Sequence, residues 1–99
     1  MAWPFSSVGA PNLDTGLVEV PTSPTFIASG EAWIVGAHFK NSAAGERRVT
    51  IADGGGVIFA EVILPEDADH PYEWPFRPVI GIQWFADDSD VSGQIWGYE

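Results

Sequence analysis

The chain has 99 residues, none of them cysteine, and its 14 acidic residues against 4 basic ones give a formal net charge of −10. Packing alone can support one domain of this size, while disulfides, thiolate metal sites and a cysteine nucleophile are excluded. The negative charge argues against nucleic acid and anionic membrane as partners, because both attract basic surfaces. We see no signal-peptide pattern in the first residues and no apolar run long enough to span a membrane.

The first sixteen residues carry isolated apolar side chains among prolines, glycines and serines, without a helical or strand period. We interpret residues 1–16 as an extended N-terminal arm, separate from a β-domain over residues 17–99. Such an arm is either disordered or anchored by its large rings on another subunit. The candidate contact residues in it are Trp3, Pro4, Phe5, Val8 and Leu13.

The central part of the chain has the clearest periodicity. After short strands at residues 17–21 and 25–28 and a turn at Ser29-Gly30, apolar residues occupy alternate positions from Trp33 to Phe39. The alternation resumes over residues 48–51, after a polar connection. This pattern predicts a β-hairpin over residues 31–53 with one buried face.

Further short strands follow at intervals of about ten residues. Residues 57–64 follow a glycine turn and carry apolar residues on both parities, which predicts a strand covered on both faces. After a polar loop at residues 65–71, residues 72–78 are bounded by prolines, which favours a sheet edge. Residues 79–86 and 91–98 are strands on either side of a charged turn. The sequence therefore predicts an all-β, antiparallel sandwich or jelly roll of about seven or eight strands.

The order of these features resembles that of small β-sandwich virion proteins of tailed phages and phage-like particles, over residues 17–99. An early strand ends near a proline, a long apolar strand ends in Asn, and the last strand closes on Gly-Tyr-Glu. The segments that carry the resemblance are Pro21, residues 32–41, residues 49–54, residues 63–65, residues 78–80 and residues 91–99.

The resemblance implies a non-enzymatic virion component, most simply a capsid decoration (cement) protein that stabilises the shell. Such a protein would be a homotrimer that binds the major capsid protein or other virion subunits. It would be made in the host cytoplasm and would lie on the capsid exterior. No cofactor is implied. The alternative is a head-spike, fibre or tail adaptor module that binds host surface polysaccharide.

The aromatic residues, 13 in all and five of them Trp, offer most of the candidate contacts. We expect Trp33 and Trp84 in the core, and Trp74, Phe76 and Trp96 at a capsid or subunit contact. A sugar platform built from Trp74, Trp84, Trp96 and Tyr98 is the other interpretation.

No motif brings reacting groups together, so we predict no catalytic residues. Glu61 and Glu73 are no better placed for glycoside hydrolysis than any other carboxylate pair. His38 lies mid-strand, which favours an exposed or cross-strand hydrogen-bonded role.

One acidic segment matches a metal-binding pattern. Residues 88–99 have the spacing of a twelve-residue calcium loop, but that loop requires flanking helices and the surrounding sequence is strand-like. A looser calcium site formed by Asp87, Asp88 and Asp90 is the alternative to a solvated turn.

Overall fold

A computed structural model describes residues 13–98, apart from the side chains of residue 70 and residues 72–78. These residues form antiparallel strands and no helix, so the prediction of an all-β, antiparallel fold is confirmed. No helix that could cross a membrane is found in this part of the chain. The strands are β1 (Leu13–Asp14), β2 (Val18–Glu19), β3 (Thr25–Asn41), β4 (Arg47–Ala52), β5 (Ile58–Leu64), β6 (Asp69–Ala86) and β7 (Val91–Tyr98).

The strands form one sheet in the order β1-β7-β3-β6-β4-β5, and β2 also pairs with β7. Its centre is the pair of long strands β3 and β6, which runs from Thr25 opposite Trp84 to Lys40 opposite Asp69. Register shifts interrupt this pair at residues 26–28, 28–31 and 34–36. Such irregularities bend and twist strands locally, which lets the long pair curve.

The curved pair divides the sheet into two parts. The β7 half contains β1, β2, β7, residues 33–41 of β3 and the residues of β6 opposite them. The β5 half contains β4, β5, residues 25–32 of β3 and residues 79–86 of β6. The two halves share one core, in which the ring of Phe39 from the first meets that of Trp84 from the second. All seven strands are hydrogen-bonded into a single sheet. The arrangement as a sandwich or jelly roll stays a prediction.

The prediction of a hairpin over residues 31–53 is wrong. Its two strands are present as β3 and β4, but β6 lies between them in the sheet and pairs with both. Alternation of apolar residues identifies the buried face of a strand and carries no information about its neighbour. Residues 42–46 therefore connect the two halves of the sheet instead of closing a hairpin.

Asn41 fixes this connection. Its side chain is buried, with 1% of its surface exposed, and its Nδ2 donates to the carbonyl oxygens of Gly45, Leu64 and Pro65 at 2.9, 3.1 and 3.0 Å. Its Oδ1 accepts a hydrogen bond from the amide of Ala43 at 2.9 Å. One amide group thus joins the end of β3 to the end of β5, across the two halves of the sheet.

The start of the β-domain also differs from the expectation. Leu13 and Asp14, predicted as part of the arm, form β1 opposite Gly97 and Trp96 of β7. The described residues therefore join the sheet four residues before the expected boundary at residue 17. The rest of the predicted arm, residues 1–12, lies outside the described residues.

Two local predictions concern β3 and β6. The turn expected at Ser29-Gly30 is absent, because β3 continues through these residues with an irregular register. The proline-bounded edge expected at residues 72–78 is present as part of β6. This segment pairs with β3 on one side, and within residues 13–98 no strand pairs with its other side.

Candidate functional site

The predicted contact residues fall into three groups. Leu13 is only 6% exposed and belongs to the core of the chain itself, so its side chain is not available to a partner in this structure. Trp96 is half-buried on the outward face of β7. The others lie outside what is described: Trp3, Pro4, Phe5 and Val8 entirely, and Trp74 and Phe76 by their side chains.

A row of polar side chains crosses the outward face of the β7 half. His38 on β3 is hydrogen-bonded through Nε2 to Oδ1 of Asp69 at the start of β6, which confirms the cross-strand role expected for it. Gln94 on β7 lies opposite His38 and donates from Nε2 to Oδ1 of Asp14 on β1 at 2.8 Å. We call Asp14, Gln94, His38 and Asp69 the polar row.

Both carboxylates of the polar row are held in their charged form. The hydrogen bond from the His38 side chain lowers the pKa of Asp69, with smaller help from the charges of His38 and Lys40. The side-chain hydrogen bond from Gln94, followed by that from the amide of Gly16, lowers the pKa of Asp14. Each carboxylate thus accepts a hydrogen bond from a neighbouring planar side chain, His38 for Asp69 and Gln94 for Asp14.

Trp96 lies beside this row. It stands opposite Asp14 on one side and opposite Gly36, which has no side chain, on the other. An aromatic ring next to planar hydrogen-bonding groups can hold an amphipathic ligand such as a sugar. The predicted platform is smaller than expected, however, because Trp84 and Tyr98 are buried and offer no ring face to solvent.

The β5 half has a different outward face, rich in exposed apolar side chains. Phe26 lies opposite Gln83 of β6, which in turn lies opposite Ala52 of β4. Ala52 lies opposite Ile58 of β5, so the row from Phe26 to Ile58 occupies one face of the sheet. Other large apolar residues of this half and Val57, just before β5, are also exposed. We call the whole set the apolar face: Phe26, Val57, Ile58, Ile63 and Ile80.

The apolar face was missed by sequence reasoning, although a signal for it was present. The apolar residues on both parities of residues 57–64 predicted a strand covered on both faces. The structure covers one face, with Val62 and Leu64 in the core, and leaves Ile58 and Ile63 exposed on the other. The second cover that the sequence predicts is not supplied by the described part of the chain.

The acidic turn between β6 and β7 binds groups of the protein itself. Asp87 Oδ1 accepts from the amide of Arg48 at 2.9 Å, and Asp88 Oδ1 accepts from the amide of Ser89 at 2.7 Å. Asp88 also lies 3.8 Å from the guanidinium of Arg47, while Asp90 adopts a φ of 72°. Residues 13–98 contain no group of three potential metal ligands at this turn or elsewhere among the described side chains.

The comparisons with known proteins add nothing to this geometry. No protein-family model, no curated protein and no solved structure matches the chain.

Proposed function

We propose that this chain is a non-enzymatic structural protein that attaches to a larger protein assembly through the apolar face. The observation that carries the proposal is the mismatch in β5, which has apolar residues on both parities and only one of its faces covered. Several large apolar side chains exposed on one part of a surface favour a protein contact there, and burial of apolar surface contributes about 25 cal/mol per Å².

The assembly we favour is a phage or phage-like capsid, because the order of strands and turns resembles small virion proteins. In this proposal the chain is a capsid decoration protein that acts as a homotrimer on the capsid exterior and binds the major capsid protein. Three linked copies would gain avidity from simultaneous attachment. Trp3, Pro4, Phe5 and Val8 stay predicted contacts of the N-terminal arm, and Trp74 and Phe76 stay predicted contacts of β6.

Co-sedimentation with capsid shells tests the attachment. The variant that replaces Phe26 and Ile80 by Ser removes two exposed side chains of the apolar face and should lower shell occupancy at least about tenfold. The matched control replaces Leu17 and Val18 by Ser, since these are also large, exposed and apolar but lie at β2 on the other half. Equal occupancy of both variants, or no binding of the unaltered chain to shells, would contradict the proposal.

A second candidate is a virion adaptor that binds host polysaccharide, and the observation that favours it is Trp96 beside the polar row. Aromatic faces contact the apolar side of sugar rings, while amide, imidazole and carboxylate groups bind hydroxyls. Binding of host polysaccharide that is lost in Trp96→Ala and in Gln94→Ala, but kept in the Phe26 and Ile80 variant, would favour this candidate over the first.

A further inference from the structure

The open edges of the sheet are protected unequally. β1 and β2 are two residues long, and the stretch of β6 with one unpaired side contains Pro71, Pro75 and Pro78. Near Thr25, β3 pairs with β6 on one side only, and the register of that pair is irregular. Short strands, prolines and irregularities are the usual means by which proteins keep edges from pairing with other chains. These edges are therefore poor docking sites for a strand.

β5 has fewer of these protections, since its one register shift with β4 lies near its start, between Ile58 and Ala60. It is the last strand in the sheet order, seven residues long, without proline, lysine or arginine, and nothing within residues 13–98 pairs with its outer side. From residue 60 to residue 64 its backbone therefore presents outward N–H and C=O groups with which an extended segment can pair. Ile58 and Ile63 of the apolar face lie on this same strand and would flank the incoming segment.

A second copy of the chain fits this edge badly. The antiparallel register that pairs all seven residues of β5 with a second copy centres on Glu61 and sets it opposite the same carboxylate. Like charges directly opposite destabilise a strand pair. The formal net charge of −10 on each copy adds long-range repulsion.

We infer that the outer edge of β5 accepts a β-strand from a different protein, with apolar side chains toward Ile58 and Ile63 and a basic side chain opposite Glu61. This inference rests on the proposed attachment role, for which it supplies the form and charge of the partner segment. Backbone hydrogen bonds along the edge provide affinity, and the alternating side chains provide specificity. The charge complement follows from Glu61, the one charged residue of β5.

The experiment uses the full chain and two synthetic probes. Both are nine-residue peptides of alternating valine and threonine, one with a central lysine and the other with a central glutamate. Peptide titrations monitored by NMR should show slower hydrogen exchange of the outward β5 amides. The lysine peptide should bind about fivefold more tightly than the glutamate peptide, and Glu61→Lys should reverse that order.

A matched pair of variants locates the site. Ile58→Ser should weaken binding of the glutamate and lysine peptides alike about tenfold, because it removes an apolar contact without adding a charge. Leu17→Ser is the control, since Leu17 is 56% exposed and Ile58 53%, and Leu17 precedes β2 on the other half. Equal weakening by both variants, or an unchanged peptide preference in Glu61→Lys, would overturn the inference.

Three further outcomes would also overturn it. Protection of β5 amides that grows with protein concentration would assign the edge to a second copy. Protection in the dilute monomer would assign it to residues 1–12 of the chain, and no protection at millimolar peptide would leave the edge without a strand partner. If the peptides bind as expected but the chain does not bind capsid shells, the edge inference stands and the proposed attachment to a capsid fails.

Discussion

The rings of Phe39 and Trp84 have centroids 6.3 Å apart and are tilted by 50°. Phe39 lies on the part of β3 that pairs with β7, and Trp84 lies on the part of β6 that pairs with β4. The contact therefore joins the β7 half to the β5 half across the core. Since the two outward faces lie on these halves, this ring pair helps to fix the polar row and the apolar face on one rigid body.

A double-mutant cycle of Phe39→Leu and Trp84→Leu should measure that link. Aromatic pairs in this geometry contribute about 0.5–1.5 kcal/mol beyond their area burial, so we expect a coupling free energy in that range. Denaturant unfolding of the four proteins gives the value. Additive effects, within about 0.3 kcal/mol, would mean that the two halves are held together elsewhere.

Asn41→Ala should lower the free energy of unfolding by about 2–4 kcal/mol. The substitution leaves the buried carbonyl group of Leu64 and the partly buried ones of Gly45 and Pro65 without this donor. A buried polar group left without a partner costs about 1–3 kcal/mol, and a partly buried one costs less. Ser42→Ala is the control, because Ser42 also bonds a carbonyl, that of Asp90, but is exposed. We expect that change to cost less than about 1 kcal/mol in urea unfolding, and equal losses would count against the role of Asn41.

Gly81→Ala should destabilise the chain by roughly 1–3 kcal/mol. Gly81 has a φ of 79°, and an added Cβ would lie 2.7 Å from the Cα of Gly54. Gly30→Ala offers a matched control in the other long strand, where an added Cβ meets nothing within 4 Å and φ is not positive. Thermal unfolding should show a lowered midpoint for the first variant and an unchanged or raised midpoint for the second.

The polar row should titrate in two separable parts. His38 lowers the pKa of Asp69, so the carboxylate is favoured by folding. The resulting stability is fully present above the unfolded pKa of about 3.9 and is lost as the pH falls through the lower pKa of the folded state. NMR titration should place the Asp69 midpoint below about 3.9 and return it toward that value in His38→Ala.

Asp14 provides the internal control for that titration. Its pKa is lowered first by Gln94, so Gln94→Ala should raise the midpoint of Asp14 and leave that of Asp69 in place. His38→Ala should do the opposite. A single variant that moved both midpoints would indicate a change in fold instead of two local hydrogen bonds.

The sequence was a good guide to which residues form strands and a poor guide to how the strands pair. Alternation from Trp33 to Phe39 identified the buried face of β3 only in its second half, where Phe39 is in the core. A register shift between Ile34 and Gly36 exchanges the two faces. Ile34 is therefore in the core, and Trp33, which we expected there, is only half-buried. The same pattern suits any neighbour, so the separation of β3 from β4 by β6 could not be read from it. The buried amide of Asn41, which joins residues more than twenty positions apart, depends on that topology.

The candidate surfaces were predictable to different degrees. Trp96 was predicted as a contact because large rings in a small chain outnumber what its core needs, and the structure leaves this ring half-buried on the outward face. The apolar face was not predicted, because the exposure of Phe26 or Ile80 depends on which side of a curved strand faces the core. The apolar residues on both parities of β5 did predict that both of its faces are covered. That pattern does not say which part of this chain, or which other chain, covers the second face.

Electron cryo-microscopy of capsid particles that carry this chain tests the central claim most directly. We expect density for the chain at many symmetry-related positions of the shell, with Phe26, Ile58 and Ile63 against a capsid subunit. In the same map, an extended segment of that subunit should lie beside β5 with a basic side chain near Glu61. Particles without such density, or with the apolar face turned to solvent in an attached chain, would contradict the account.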